Sequence, residues 1–126
     1  MKPAKRILLV DDEPIVGERL KASLERVGFA VDAFVSSSDA LRNLEHHFYD
    51  ILVTDLKMKP PDGLEVLKIA KKKQPGIRAI VITGFATKQL AADAFSAGAV
   101  HFLAKPFKIS HLVALLNVLS GADNRE

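Results

Sequence analysis

Residues 51–55 have the sequence Ile51-Leu52-Val53-Thr54-Asp55. Four consecutive apolar or β-branched residues predict a short strand that is buried on both faces, as the strands of parallel sheets are. The predicted strand ends on a carboxylate. The same pattern occurs near the start of the chain, where Ile7-Leu8-Leu9-Val10 is followed by Asp11 and Asp12. The two segments predict a parallel sheet with acidic residues at the carboxyl ends of its strands.

Apolar and amphipathic segments alternate along the rest of the chain. Further strands are predicted at residues 30–34, 79–82 and 100–103. The intervening segments have helical spacing, and the first has Pro14 in its first turn, Asp12 or Glu13 as its cap and Gly28 at its end. Strict alternation predicts parallel βαβ units with right-handed crossovers. We therefore predict one doubly wound α/β domain over residues 1–126, with a core at about 5–119 and a polar tail, or the beginning of a linker, at 120–126.

The composition fits such a domain. The chain has 126 residues, of which 48% are hydrophobic, and this suffices for one core without cross-links. It contains no cysteine, and its apolar runs are too short for a signal peptide or a membrane span. The net charge is +3, and no aromatic residue interrupts the Lys71–Lys73 run to stack nucleic acid bases. We expect a cytoplasmic protein that binds neither membranes nor nucleic acid directly.

Polar residues with reactive side chains fall at the ends of four predicted strands. Asp11 and Asp12 follow the first strand, Asp55 ends the third, Thr83 follows the fourth, and Lys105 lies just past the fifth. Ligands of open parallel sheets bind at this edge, where the strand order reverses. Each residue alone has an ordinary explanation, such as helix capping, a turn or a solvated lysine. The whole set indicates a functional cleft.

Carboxylates gathered in one cleft repel one another and require a cation. Mg2+ fits, because it takes oxygen ligands from one or two carboxylates and completes its shell with water and phosphate oxygens. Lys105 adds a positive charge and Thr83 a hydroxyl, so the cleft would stabilise a phosphoryl group during transfer. Asp55, the most central carboxylate, is the predicted nucleophile and would form an acyl phosphate.

Three other functions are compatible with a doubly wound sheet. An aspartyl phosphatase needs a second carboxylate two residues after its nucleophile; Glu13 has this spacing from Asp11, but Pro14 follows and the matching downstream pattern is missing. A nucleotide-binding domain needs a glycine-rich phosphate loop after the first strand, and the sequence has none there. An interaction module that keeps the fold but is never phosphorylated would not need the complete polar set.

The ordered motifs resemble the receiver domains of two-component response regulators. The resemblance extends from about Lys5 to about Leu119 and rests on Val10-Asp11-Asp12-Glu13, Asp55-Leu56-Lys57-Met58 with Asp62-Gly63 downstream, Ile82-Thr83-Gly84, and Lys105-Pro106-Phe107. It implies a flavodoxin-like strand order, 2-1-3-4-5, with five helices distributed over both faces. It also implies a phosphorelay signalling phosphoprotein that is not an enzyme and assists only its own phosphorylation and dephosphorylation.

The resemblance implies a role for each acidic residue of the cleft. Asp55 would be the phosphoacceptor. Mg2+ would be bound by Asp12 directly, by Asp11 largely through water, by Asp55 itself and by the backbone carbonyl of Lys57. Asp62 is expected to cap the third helix rather than to bind metal.

The resemblance also implies a switch. Thr83 would bond a phosphoryl oxygen and Lys105 would pair with it, with a cis Lys105–Pro106 bond aiming the lysine at the site. Phe102 occupies the aromatic switch position, where the ring turns inward as Thr83 moves toward the phosphate. The phosphoryl donor would be the phosphohistidine of a histidine kinase or phosphotransfer protein, or a small acyl phosphate.

Two segments depart from the family pattern. The family usually has a proline directly after the position of Met58 and an apolar residue before Asp-Gly. This chain has Lys59-Pro60-Pro61 in that stretch. Lys57 and Phe85 occupy variable positions that tune hydrolysis of the acyl phosphate in the family, and here they predict a comparatively long-lived phospho-form.

The last predicted helix, at residues 109–119, is apolar on more than one stripe. A wide buried face would explain this, and so would a homodimer or effector surface formed with the fourth helix and the last strand. The chain carries no recognisable output segment, so we expect either a stand-alone receiver or the amino-terminal domain of a larger transcriptional or enzymatic regulator.

Overall fold

The computed structural model describes residues 4–120, so residues 121–126 of the predicted tail lie outside the described residues. The strands are β1 (Arg6–Val10), β2 (Ala30–Phe34), β3 (Ile51–Asp55), β4 (Arg78–Thr83) and β5 (Ala99–Ala104). They form one parallel sheet in the order β2-β1-β3-β4-β5, which confirms the predicted topology. Every strand boundary lies within one residue of its prediction.

Each crossover contains a helix, and a fifth helix follows the last strand. The helices are α1 (Pro14–Arg26), α2 (Ser37–Leu44), α3 (Gly63–Lys73), α4 (Lys88–Ser96) and α5 (Ile109–Leu119). Asp62 caps α3 in a reciprocal capping box with Glu65, as expected, and Ser36 caps α2. The predicted side-chain cap of α1 is wrong. Glu13 holds the N-cap position without a side-chain hydrogen bond, and the Glu13 N–H instead donates to Asp11 Oδ1 at 2.9 Å.

The core consists of two layers, one on each face of the sheet. Side chains of a strand alternate between the faces, so Leu8 and Val10 pack with α2, α3 and α4, whereas Ile7 and Leu9 pack with α1 and α5. Helices cover both faces of the sheet, but they leave the ends of the strands uncovered. A cleft can form at those ends.

Helix α5 buries one stripe and exposes part of another. Leu112, Leu116 and Leu119 lie in the core, while Val118 is 59% exposed and Ile109 is also exposed. A wide buried face therefore explains most of the apolar residues of α5, but not the exposed Ile109 and Val118. None of the described helices is long and apolar enough to cross a bilayer.

Candidate functional site

The carboxyl ends of β1, β3, β4 and β5 bring the predicted site residues to one edge of the sheet. Asp11 directly follows β1 and Asp55 ends β3, which pairs with β1 through Val10 and Thr54. Thr83 ends β4 and lies opposite Ala104 of β5, the residue before Lys105. Residues far apart in the sequence are neighbours here because parallel strands end at the same edge.

The three aspartates form one cluster. Asp11, Asp12 and Asp55 each offer a carboxylate oxygen, and these oxygens all lie within 4.8 Å of one another. Asp11 and Asp55 are buried and Asp12 is exposed, so the cluster opens to solvent on the side of Asp12. The structure thus brings together the aspartates that the sequence predicts to share a site.

Lys105 lies at the inner side of the cluster. Its Nζ is 3.0 Å from Asp11 Oδ2 and 2.9 Å from Asp55 Oδ2, and its backbone N–H donates to the Thr83 carbonyl at 2.8 Å. Glu13 Oε1 is 3.6 Å from the same ammonium. Sequence reasoning did not assign Glu13 to the site, although its position two residues after Asp11 is a signal that it lies nearby.

Burial dominates the electrostatics of the cluster. It raises the pKa of Asp11, although the Glu13 N–H and Lys105 oppose the rise; the charge of Asp55 adds to it. Burial alone would lower the pKa of Lys105, but its hydrogen bonds to Asp55 and Asp11, and their charges, hold that pKa above its ordinary value. Lys105 is therefore a cation that contacts both buried carboxylates.

Thr83 connects the cluster to the loop between β4 and α4. Its side chain is fully buried, and its Oγ1 accepts a hydrogen bond from the Phe85 N–H at 3.0 Å. The Phe85 ring is exposed and lies 5.6 Å from the ammonium of Lys57, in a cation–π contact. The Lys57 N–H donates to Asp55 Oδ1 at 3.3 Å. Lys57 and Phe85 thus face each other across the mouth of the site.

The start of α3 packs against the backbone of Asp55. The Gly63 N–H donates to the Leu56 carbonyl at 2.9 Å, and a Cβ added at Gly63 would lie 2.0 Å from the Asp55 carbonyl oxygen. Only glycine permits this approach. The intervening loop contains a cis Pro60–Pro61 bond, and the Lys105–Pro106 bond is also cis, as the resemblance implies.

Phe102 lies on β5 at a distance from the cluster. It is half-buried against the core layer of α2, α3 and α4, and its ring centroid is 6.4 Å from that of Phe95 on α4. Its role in switching, like that of the Lys57 carbonyl as a metal ligand, stays a prediction.

Comparison with known proteins decides the family. Residues 7–117 match the model of the response regulator receiver domain. The chain belongs to this family. A receiver domain is a signalling fold and not a typical enzyme.

Relatives of this receiver domain differ in length. The response regulator receiver protein CpdR of Brucella abortus is 33% identical over 109 residues, which are 86% of this chain and 91% of CpdR. The C4-dicarboxylate transport transcriptional regulatory protein DctD of Rhizobium meliloti is 33% identical over 113 residues, which are 90% of this chain but only 25% of DctD. A CheY-like receiver domain protein from Methanospirillum hungatei superposes with a TM-score of 0.88 at 29% identity, covering 95% of this chain and 97% of its own.

Receiver domains typically bind Mg2+ at an acidic cluster, and the residues of this receiver domain fit that ion. The donors are carboxylate oxygens, which hard cations prefer, and they lie close enough together to share one ion. Burial raises the pKa of Asp11 despite the nearby Lys105 ammonium, and a cation among the carboxylates would oppose that rise.

Proposed function

We propose that this receiver domain is a cytoplasmic, phosphorylation-activated switch that takes a phosphoryl group onto Asp55. The donor would be the phosphohistidine of a histidine kinase or phosphotransfer protein. The observation that carries the proposal is the position of Asp55, which lies 2.9 Å from the Lys105 ammonium and shares a cluster with Asp11 and Asp12. An inert module of the same fold would not need this arrangement.

The chemistry follows from the surroundings of Asp55. A carboxylate oxygen of Asp55 attacks phosphorus, the bond from phosphorus to the donor imidazole breaks, and an acyl phosphate forms. Lys105, whose Nζ lies 2.9 Å from Asp55 Oδ2, would pair with a phosphoryl oxygen, and the Thr83 hydroxyl lies at the end of the adjacent strand. Asp12, Asp55 and the Lys57 carbonyl would hold Mg2+, with Asp11 acting largely through water. The ion would neutralise the charge that gathers on the phosphoryl oxygens.

The switch would be an exchange of hydrogen bonds at Thr83. Its hydroxyl accepts from the Phe85 N–H, so a turn of that hydroxyl toward a phosphoryl oxygen releases the backbone after β4. The phosphoryl group interacts differently with the two arrangements and therefore shifts their populations. Phe102 would report the change by repacking against α4, where Phe95 is its neighbour.

The output surface would include α4, β5 and α5. Phe95, Val100 and Val118, one from each element, expose large apolar side chains. A second copy of the chain or an effector would cover them. CpdR and DctD differ in how much of their length the receiver spans, so both a stand-alone receiver and the amino-terminal domain of a larger regulator remain candidates for the whole protein.

Incubation with Mg2+ and acetyl phosphate tests the proposal. Intact-mass measurement should show one added phosphoryl group on the wild type and none on Asp55→Asn. Asp93→Asn is the matched control, because Asp93 lies on α4 and accepts a hydrogen bond from Gln89 away from the cluster. Equal phosphorylation of the Asp55 variant, or none in the wild type, contradicts the proposal.

A further inference from the structure

Glu13 adds a further carboxylate beside the aspartate cluster. Its Oε1 lies 3.6 Å from the Lys105 ammonium, which also contacts Asp11 and Asp55. The side chain of Glu13 is 66% exposed, whereas those of Asp11 and Asp55 are 0% and 8% exposed. Glu13 therefore lies on the solvent side of Lys105, the side from which a phosphoryl donor approaches.

Helix capping and support of Lys105 do not account for the Glu13 side chain. Glu13 occupies the N-cap position of α1, but its side chain makes no capping hydrogen bond. Two buried carboxylates already hold the Lys105 ammonium at 2.9 and 3.0 Å, and at 3.6 Å the Glu13 carboxylate is beyond hydrogen-bond distance. It is also not a member of the cluster whose oxygens could share one cation. What remains is the field of its charge beside the site.

The charges in this part of the site do not balance once Glu13 is included. Lys105 and one Mg2+ would carry three positive charges, which offset the three aspartates of the cluster. Glu13 then leaves one negative charge in excess. The Lys57 ammonium contacts the Phe85 ring instead. A small donor such as acetyl phosphate is a dianion near neutral pH, and the excess negative charge would repel it.

We propose that Glu13 determines donor specificity: its charge disfavours free anionic phosphoryl donors, so that Asp55 takes phosphoryl groups mainly from a docked protein. A kinase or phosphotransfer protein gains contacts outside the site that offset the repulsion, whereas a small donor has none. Glu13 acts on the approaching donor through its charge and not by contact with Asp55. The inference rests on the proposed function, because it concerns transfer onto Asp55.

Two small donors of different charge test the inference. Acetyl phosphate is a dianion near neutral pH, and phosphoramidate is largely a monoanion. At saturating Mg2+ and low ionic strength, acetyl phosphate should phosphorylate Glu13→Gln about 3- to 10-fold faster than the wild type, and phosphoramidate should show a smaller gain. High ionic strength should reduce the gain, because it screens exposed charges. Intact mass against time gives each rate.

Two further variants are controls. Glu13→Asp keeps the charge and should react like the wild type with both donors. Glu45→Gln changes the net charge by the same amount as Glu13→Gln. Glu45 is likewise the exposed partner of a lysine, Lys73 at 3.1 Å, but it lies at the end of α2. Glu45→Gln should therefore leave both rates unchanged.

Binding of an unreactive donor gives a readout without phosphoryl transfer. Acetonylphosphonate has the shape and negative charge of acetyl phosphate, but its phosphorus is bonded to carbon and cannot be transferred. In an amide NMR titration with Mg2+, it should bind Glu13→Gln more tightly than the wild type.

The failure of this inference differs from that of the proposed function. If the wild type is phosphorylated on Asp55 but Glu13→Gln reacts no faster, the donor-specificity role of Glu13 is wrong and the proposed function stands. The same holds if the gain is equal for both donors and at both ionic strengths. If neither donor phosphorylates the wild type, both are overturned.

Discussion

The ammonium of Lys105 lies 2.9 Å from Oδ2 of Asp55, and it also contacts the buried carboxylate of Asp11 at 3.0 Å. A side chain from the end of the last strand thus neutralises carboxylates from the first and third strands. The same ammonium would pair with a phosphoryl group on Asp55, so Lys105 has a partner in both states of the proposed switch.

Lys105→Met should lower the free energy of unfolding in Mg2+-free buffer by about 1–3 kcal/mol, because Asp11 and Asp55 lose their charged partner. Mg2+ should then stabilise the variant more than the wild type, since no ammonium competes for the carboxylates. Urea denaturation with and without Mg2+ measures both effects. Lys88→Met, on exposed α4 surface, is the control. If Mg2+ raises the unfolding free energy of variant and wild type equally, Lys105 and Mg2+ do not compete for the carboxylates.

Gly63→Ala should destabilise the protein by roughly 1–3 kcal/mol or more and slow phosphorylation. The added methyl group would lie 2.0 Å from the Asp55 carbonyl oxygen and 2.6 Å from Leu56 Cα, so the backbone of the phosphoacceptor has to move. Gly76→Ala is the matched control, because a Cβ there meets no atom within 4 Å. Thermal unfolding and acetyl phosphate labelling measure the two effects. Equal behaviour of the two alanine variants would show that this contact does not constrain Asp55.

The fold could be predicted because its signals are local. Each buried strand is a short apolar run, and each helix has apolar residues at helical spacing with a proline, serine or glycine near its ends. The gathering of Asp11, Asp55 and Lys105 was also predictable, since topology alone places the ends of parallel strands at one edge.

Contacts between side chains of different loops could not be predicted. The distance from Glu13 to Lys105 and the close approach of Gly63 to Asp55 depend on the angles at which loops leave the sheet. The cap of α1 was mispredicted for the same reason, because Asp11 bonds the Glu13 N–H from inside the site. Periodicity carries no information about such angles.

Tyr49 is buried away from the site, and its hydroxyl joins a polar network that includes the partly exposed side chains of Asp32 and Arg6. Its hydroxyl donates to Asp32 Oδ2 at 2.5 Å and accepts from the Asn43 side-chain amide, and the Arg6 guanidinium lies 5.1 Å from its ring centroid. Burial first, and then the bond to Asp32, raises the pKa of Tyr49 well above its ordinary value. The neutral phenol is therefore the form that the folded state favours.

Tyr49→Phe should cost about 1–3 kcal/mol of unfolding free energy near neutral pH. The pKa of Tyr49 is raised in the folded state. The stability that its protonated hydroxyl contributes is therefore complete below the unfolded pKa of about 10 and is lost as pH rises above it. The difference in unfolding free energy between wild type and variant should become smaller in that alkaline range, as measured by urea denaturation. The chain has a single tyrosine, so its ultraviolet titration reports this group alone. A difference in unfolding free energy that stays constant with pH would contradict the raised pKa of Tyr49.

Phe85→Ala should shorten the life of the acyl phosphate roughly 2- to 5-fold. The ring and the Lys57 ammonium face each other at 5.6 Å across the mouth of the site, where they would hinder water from reaching phosphorus on a phosphorylated Asp55. Loss of phosphate in Mg2+ buffer, followed by intact mass after removal of acetyl phosphate, measures the lifetime.

Phe48→Ala is the matched control, because Phe48 and Phe85 are both 62% exposed but Phe48 lies between α2 and β3. Lys57→Ala should act in the same direction as Phe85→Ala, since it removes the other half of the contact. Rapid loss of phosphate from the wild type, or equal lifetimes in the two phenylalanine variants, would show that these side chains do not shield the phosphoryl group.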